Sequence, residues 1–164
     1  MTDEPARPGL VRRAWPDDAR ELTRLRALML GSLDGSSPGL DEAWAQRCEA
    51  ELRRRLLPGA PLVAMVVDAP DGSGLASAGV GVVDFRLPAP GRLSPAVGHV
   101  SSMSTDPQWR RRGYARAVLD ALVVWLRAEG CARIELFASD DGLPLYEDNG
   151  FRLAPNPSLR RTLP

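Results

Sequence analysis

Apolar and polar positions alternate along the chain in a way that divides it into short elements. Leu10 to Trp15 reads as a strand, and Pro16-Asp17-Asp18 then supplies a rigid turn and carboxylates at the positive end of a helix. Ala19, Leu22, Leu25 and Met29 follow at three- and four-residue steps and form its apolar face. Gly31 to Gly39, rich in Gly, Ser and Asp, predicts a flexible loop before a second helix over Asp41 to Leu57, which Pro58-Gly59 ends. Leu62 to Val67 and Leu75 to Leu87 read as strands of a hairpin turned by Pro70 to Gly74. Gly79 and Gly81 in the returning strand predict a bulge or a close backbone approach.

After a proline-rich loop, Pro88 to Pro95, a strand is predicted over Val97 to Thr105. A strongly periodic helix follows from Gly113 to Ala128, with Ala115, Val118, Leu119, Leu122 and Leu126 on its buried face and Gly130 as its C-terminal cap. Ile134, Leu136 and Ala138 alternate as a strand, a short helix covers Leu143 to Asp148, and Asn149-Gly150 turns the chain into a last strand near Phe151. Strands interleaved with helices imply an α/β (α+β) fold, and 164 residues suit a single domain over 1–164, with residues 1–8 as a disordered lead.

Charge and composition narrow the function classes. Twenty-one basic residues balance 21 acidic ones, so no global field points to nucleic acid or an anionic membrane. No apolar run reaches about 18 residues and the N-terminus lacks a signal core, so the chain is expected to stay in the cytoplasm, off the membrane. Cys48 and Cys131 show no ligand-like spacing and read as reduced thiols. Every basic residue is Arg, which leaves no lysine for Schiff-base chemistry. Trp15, Trp44, Trp109 and Trp125 are scattered as packing residues, not as a stacking platform.

The segment with chemical content is Thr105-Asp106-Pro107-Gln108-Trp109-Arg110-Arg111-Arg112-Gly113-Tyr114-Ala115, between an apolar strand and the amphipathic helix. By itself, Arg-Arg-Arg-Gly reads as a solvated turn, a nucleic-acid contact or a phosphate site. Its place at a helix entrance favours phosphate: the first turn carries unpaired N–H groups and partial positive charge, and Gly113 and small Ala115 leave room for an anion. Walker-type and dinucleotide glycine spacings are absent.

Arg110-x-x-Gly113-x-Ala115, with its lead-in Thr105-x-Pro107, resembles the coenzyme motif of the GNAT acyltransferase superfamily. Leu136-Phe137-Ala138-Ser139, Gly142-x-Pro144-Leu145-Tyr146-Glu147 and Asn149-Gly150-Phe151 resemble that family's fifth strand, fourth helix and closing Gly-Phe. The resemblance is strong over residues 97 to 155. It implies a mixed central sheet splayed between strands 4 and 5, helices on both faces, and acetyl-CoA as acyl donor in the gap. The main chain of Met103 and Thr105 would pair with the pantetheine, the Met103 N–H meeting the thioester oxygen, and the main chain from Arg110 through Arg111, Arg112, Gly113 and Tyr114 to Ala115 would surround the pyrophosphate. Tyr146 falls at the position of a proton donor to the leaving thiolate. Ser139 stands where many relatives have Asn, Gly142 where Ala is commoner, and His99 where some protein-acetylating relatives place an acidic residue.

An alkyl amine, with a pKa near 10, must shed a proton before it attacks, so a base and an oxyanion donor are needed. His99, the only histidine, shares a strand face with Ser101 and Met103 by period-two counting and has the right ordinary pKa; Asp84 or a chain of waters are alternatives. Tyr146 can equally be a packing residue. The expected activity is N-acetyl transfer to a primary amine, borne by a small molecule, protein or peptide, and a homodimer is compatible with such a domain. The acceptor would be read by the loop Gly31 to Leu40, the second helix and the loop Pro88 to Pro95. The alternative function is a catalytically silent acyl-CoA-binding or regulatory module.

Overall fold

The computed structural model describes residues 10–34, 40–156 and 158–163, so the expected disordered lead lies outside the described residues. In chain order the elements are β1 (Arg12–Arg13), α1 (Ala19–Asp34), α2 (Glu42–Arg55), β2 (Leu62–Asp68), β3 (Leu75–Phe85), β4 (Ala96–Thr105), α3 (Tyr114–Ala128), β5 (Arg133–Leu136) and α4 (Leu143–Asp148). The strands form one sheet in the order β1-β2-β3-β4-β5. Neighbours are antiparallel up to β4, and β4 and β5 run parallel, joined by the crossover helix α3. Alternation along β2 sends Val63 and Val67 into a core shared with α3, and Ala64 and Val66 into a second core with Leu22 and Leu25 of α1. Helices therefore cover both faces, as expected.

Local chemistry fixes the helix ends. The Asp41 carboxylate accepts from the Trp44 N–H at 2.8 Å and starts α2. Gly130, at φ +84°, ends α3, and the Cys131 N–H beyond it donates to the Leu126 carbonyl at 3.0 Å. Within α3, Leu119, Leu122 and Leu126 are fully buried, each worth about 1.5–3 kcal/mol relative to exposure. A row of glycines lets the helix approach: a Cβ on Gly79 would meet Leu122 Cδ1 and Val118 Cγ1 at 2.9 Å, and one on Gly98 would meet Leu126 Cδ1 at 2.9 Å.

Gly79 also faces an irregularity. Ala78 pairs with Ser104 and Val80 with Ser101, so β4 carries one more residue than β3 across this step. The surplus is a β-bulge at Ser102, whose φ is +53°. The close approach expected of Gly79 holds, whereas the bulge expected in its own strand lies in β4, opposite it.

α1 is tied to the sheet by ions as well as by its apolar face. Arg24 donates to the Glu21 carboxylate at 2.9 Å, to Asp106 at 2.6 Å and to the Leu75 carbonyl at 2.9 Å, while Glu21 accepts from the Leu75 N–H at 3.0 Å. The bond to Glu21, then that to Asp106, holds the Arg24 guanidinium more firmly protonated than usual. Asp106 in turn accepts from the Gln108 N–H at 3.2 Å, opening the turn Pro107–Trp109 that leads to α3.

Two expectations are corrected. The loop expected from Gly31 begins later, because α1 continues to Asp34. One helical glycine costs only about 1 kcal/mol, and Leu33, four residues after Met29, continues the apolar spacing past it. The last strand near Phe151 does not form among the described residues. The Phe151 N–H donates to the Tyr146 carbonyl at 3.0 Å and its ring meets that of Tyr146 edge-on at 6.0 Å, so the chain folds back on α4. Pro155 and Pro157 then remove donors that a strand beside β5 would need.

Gly79→Ala should destabilise the protein by about 1–3 kcal/mol through overpacking against α3 and Met103. Urea unfolding of both proteins checks this, and a ΔΔG near zero would mean that the helix is not closely seated there.

Candidate active site

β4 and β5 pair only from Val97–Arg133 to Val100–Leu136. Beyond that point β4 runs on to Thr105, while the chain after Leu136 bends into a turn in which the Ser139 carbonyl accepts from the Gly142 and Leu143 N–H groups, both at 3.0 Å. The strands diverge, as the sequence resemblance implied, and a cavity of about 700 Å³ occupies the opening. Met103, Ser104 and Thr105 form one wall, the stretch from Ser139 to Tyr146 the other, and the start of α3 closes one end. Met29, Ser32 and Leu33 add the end of α1.

The β4 wall offers main-chain groups. The Asp106 N–H donates to the Ala76 carbonyl at 2.9 Å, so by the alternation of an antiparallel ladder the peptide groups of Thr105 face away from β3, into the opening. Arg110 Nε donates to the Thr105 carbonyl at 3.3 Å. The bulge also decides the side chains. His99 and Ser101 pair with Val82 and Val80, which belong to the core on the α1 side, whereas Met103 packs into the core on the α3 side. Period-two counting placed His99, Ser101 and Met103 on one face; the extra residue at Ser102 moves Met103 to the other.

At the far end, the Ala117 N–H donates to the Gly113 carbonyl at 3.0 Å as the first bond of α3. The N–H groups of Tyr114, Ala115 and Arg116 therefore have no acceptor within the helix, and all three residues line the cleft. Gly113 has φ +76°, and nothing lies within 4 Å of where its Cβ would be. Arg110 and Arg111 also line the cleft, Arg111 in the left-handed region at φ +62°. Arg112 instead stacks over the Trp109 ring at 4.9 Å, outside the lining.

Tyr146 lies at the base of α4, 8% exposed, with Gly142 close enough that a Cβ there would meet its ring at 3.1 Å. Glycine at this position thus makes room for the phenol. Its hydroxyl has no protein partner among the described residues, and burial raises its pKa above the ordinary value of 10.0. Ser139 lines the same wall and its hydroxyl accepts from the Gly142 N–H at 3.3 Å. His99 does not line the cleft. It faces the α1 side beside the opening, its ring 5.8 Å from that of Phe137. Asp84 pairs with Arg86 at 3.2 Å.

Sequence reasoning missed Arg116, Asp140, Asp141 and the α1 residues in the lining. Arg116 continues the helix start and was legible; the α1 residues depend on a helix longer than its composition suggested. Trp109, read as packing, lines the cleft with its Nε1 buried and unpartnered among the described residues.

Residues 34–151 match the acetyltransferase (GNAT) family. The chain belongs to this family. A glucosamine 6-phosphate N-acetyltransferase of Trypanosoma brucei brucei is 39% identical over 57 residues, 35% of this chain and 39% of that protein, so the match spans well under half of that curated relative. A predicted acetyltransferase of Clostridium acetobutylicum, solved with acetyl-CoA, aligns at TM-score 0.79 and 22% identity over 92% of this chain and 94% of that one. A Trypanosoma brucei acetyltransferase aligns at TM-score 0.67 and 27% identity, over 93% and 98%. The glucosamine-6-phosphate N-acetyltransferase of Arabidopsis thaliana shares the fold at TM-score 0.68 and 18% identity, over 93% and 95%. No described helix of this GNAT chain is long and apolar enough to cross a membrane.

The chain has only two tyrosines. In a Tyr114→Phe variant, phenolate absorbance should therefore report Tyr146 alone and show a midpoint above about 10. The folded state keeps this proton longer than the unfolded chain does, so its contribution to stability is complete below about pH 10 and falls as pH rises further. A midpoint at or below 10 would contradict the burial.

Proposed function

We propose that this chain is an acetyl-CoA-dependent N-acetyltransferase that passes the acetyl group directly to a primary amine. The observation that carries the proposal is the single cleft joining the divergent β4 main chain, the unpaired first turn of α3 and the Tyr146 phenol. Three N–H groups and the open space at Gly113 suit a diphosphate, with Arg110 and Arg111 adding charge at the rim and Arg112 lying behind, on Trp109. Met103 and Thr105 fit the amide-bearing arm of the donor through their main chain, and Ser139 faces them as a polar group on the opposite wall.

In the proposed reaction the amine nitrogen forms a bond to the thioester carbon while the Met103 N–H stabilises the developing oxyanion. The C–S bond then breaks, and Tyr146, kept protonated by burial, gives its proton to the departing thiolate. The proton lost by the amine goes to His99 through water, since the imidazole stands beside the opening and not in it. Asp84 suits this task less, being engaged by Arg86. The acceptor approaches from the α1 side, where His99 and Phe137 are placed; relatives named for glucosamine 6-phosphate support a small-molecule amine over a protein.

Acetyl-CoA consumption over a panel of amines tests the activity. Binding of acetyl-CoA without turnover on any amine class would favour the silent acyl-CoA-binding module instead. Gly113→Glu should leave the fold intact and weaken coenzyme binding at least about hundredfold, because a carboxylate would stand in the anion's place; unchanged affinity in calorimetry would move the anion site elsewhere. Tyr146→Phe should lower kcat about ten- to a thousandfold with little change in coenzyme KM, and full activity would remove the acid assignment. His99→Gln should lower kcat/KM by about tenfold or more, and an unchanged kcat/KM would mean that the proton leaves by another route.

A further inference from the structure

α1 grips β4 at two points that flank Met103. The Ser104 hydroxyl donates to the Leu25 carbonyl at 2.8 Å, and an Arg26 guanidinium N–H donates to the Ser102 hydroxyl. Leu25 and Arg26 are consecutive, so one turn of helix holds both sides of the bulge. Ser102 has φ +53°, a conformation that a residue with a Cβ rarely adopts unless its surroundings impose it. Arg26 has no other partner among the described residues, and a charge-assisted bond to a hydroxyl is the stronger kind. The same helix continues into the cleft wall through Met29, Ser32 and Leu33.

We infer that Arg26 is a positioning residue: by holding the Ser102 hydroxyl it keeps the bulge in its left-handed form and so aims the Met103 main-chain N–H into the cleft. The catalytic part of this inference rests on the acetyl-transfer reading; the mechanical part does not. Arginine is suited to the task because its charge is permanent and its fork of donors can reach a hydroxyl across the gap between helix and sheet. Glycine at 102 would adopt the same backbone without steric cost and would need no such hold.

The test is a double-mutant cycle of Arg26→Met with Ser102→Gly, with Arg26→Lys as the conservative variant. Two quantities are read: hydrogen exchange by NMR, in the protein alone, of the Ser104 amide, which the ladder alternation turns toward β3 beside the bulge, and kcat and acetyl-CoA KM with the best amine found. Arg26→Met should speed exchange at Ser104 by about tenfold or more relative to amides of α3, and lower kcat about tenfold with KM changed less than about threefold. Arg26→Lys should recover most of both. In the Ser102→Gly background, Arg26→Met should have less than about a third of its effect on either quantity.

Equal effects in both backgrounds, or no change in Ser104 exchange, would overturn the inference whatever the activity. Faster exchange with unchanged kcat would overturn the catalytic part. If the parent protein turns over no amine, the exchange cycle still decides whether Arg26 holds the bulge, so the failure of the acetyl-transfer reading is separable. Should Arg26→Met unfold, Arg26→Gln in the parent and Ser102→Gly backgrounds carries the same comparison.

Discussion

One surplus residue in β4 governs the arrangement of the site. Between its pairings with Ala78 and Val80, β3 advances by two residues and β4 by three, and the pleat has no place for the extra one. Ser102 absorbs it by entering the left-handed region. Everything after it in the strand changes face, which puts Met103 under α3 and Ser104 under α1. Pairing with β5 has already ended at Val100. The result is a length of β4 that keeps its bonds to β3 while its other edge is free for something that is not a strand of this sheet.

The closed end of the cleft follows from how α3 is seated. Glycines at 79, 81 and 98 remove the side chains that would hold the helix away from the sheet. The short turn Pro107–Trp109, anchored through Asp106 to Arg24 of α1, delivers the chain to the helix start at Gly113. Because Gly113 takes φ +76° and offers no capping side chain, the first-turn N–H groups are left to the cleft. An acidic cap there would have satisfied those N–H groups and put a negative charge at this end of the cleft.

Much of this was legible in the sequence. The α3 periodicity, its Gly130 cap, the glycines of β3 and the Arg110-x-x-Gly113-x-Ala115 spacing report local requirements, and each is visible because one residue type answers one geometric need. The family match then bore out the fold. The glycines of β3 suggested a bulge in their own strand, whereas the surplus residue lies across from Gly79 in β4. Ser101-Ser102-Met103-Ser104-Thr105 carries almost no hydrophobic alternation, so no periodicity marks where the faces exchange, and His99 and Met103 were counted onto one side. The missing strand after Phe151 has a similar cause: an apolar start looks strand-like, but the ring is claimed by Tyr146 and the prolines that follow cannot donate. The Arg26–Ser102 contact joins residues 76 apart in the chain and has no local signature at all.

The sheet tapers. Its inner strands β3 and β4 have 11 and 10 residues, whereas the outermost, β1 and β5, have 2 and 4. An edge strand is a row of unsatisfied donors and acceptors that a strand from another molecule can extend, and short edges limit how many such bonds can form. On β5 the side chains of Arg133 and Glu135 pair with each other at 3.0 Å, adding charge to the one edge that lies beside the cleft. A sheet that leaves part of β4 unpaired beside an open cleft thus has terminal strands too short to template many bonds to another copy or to a partly unfolded chain.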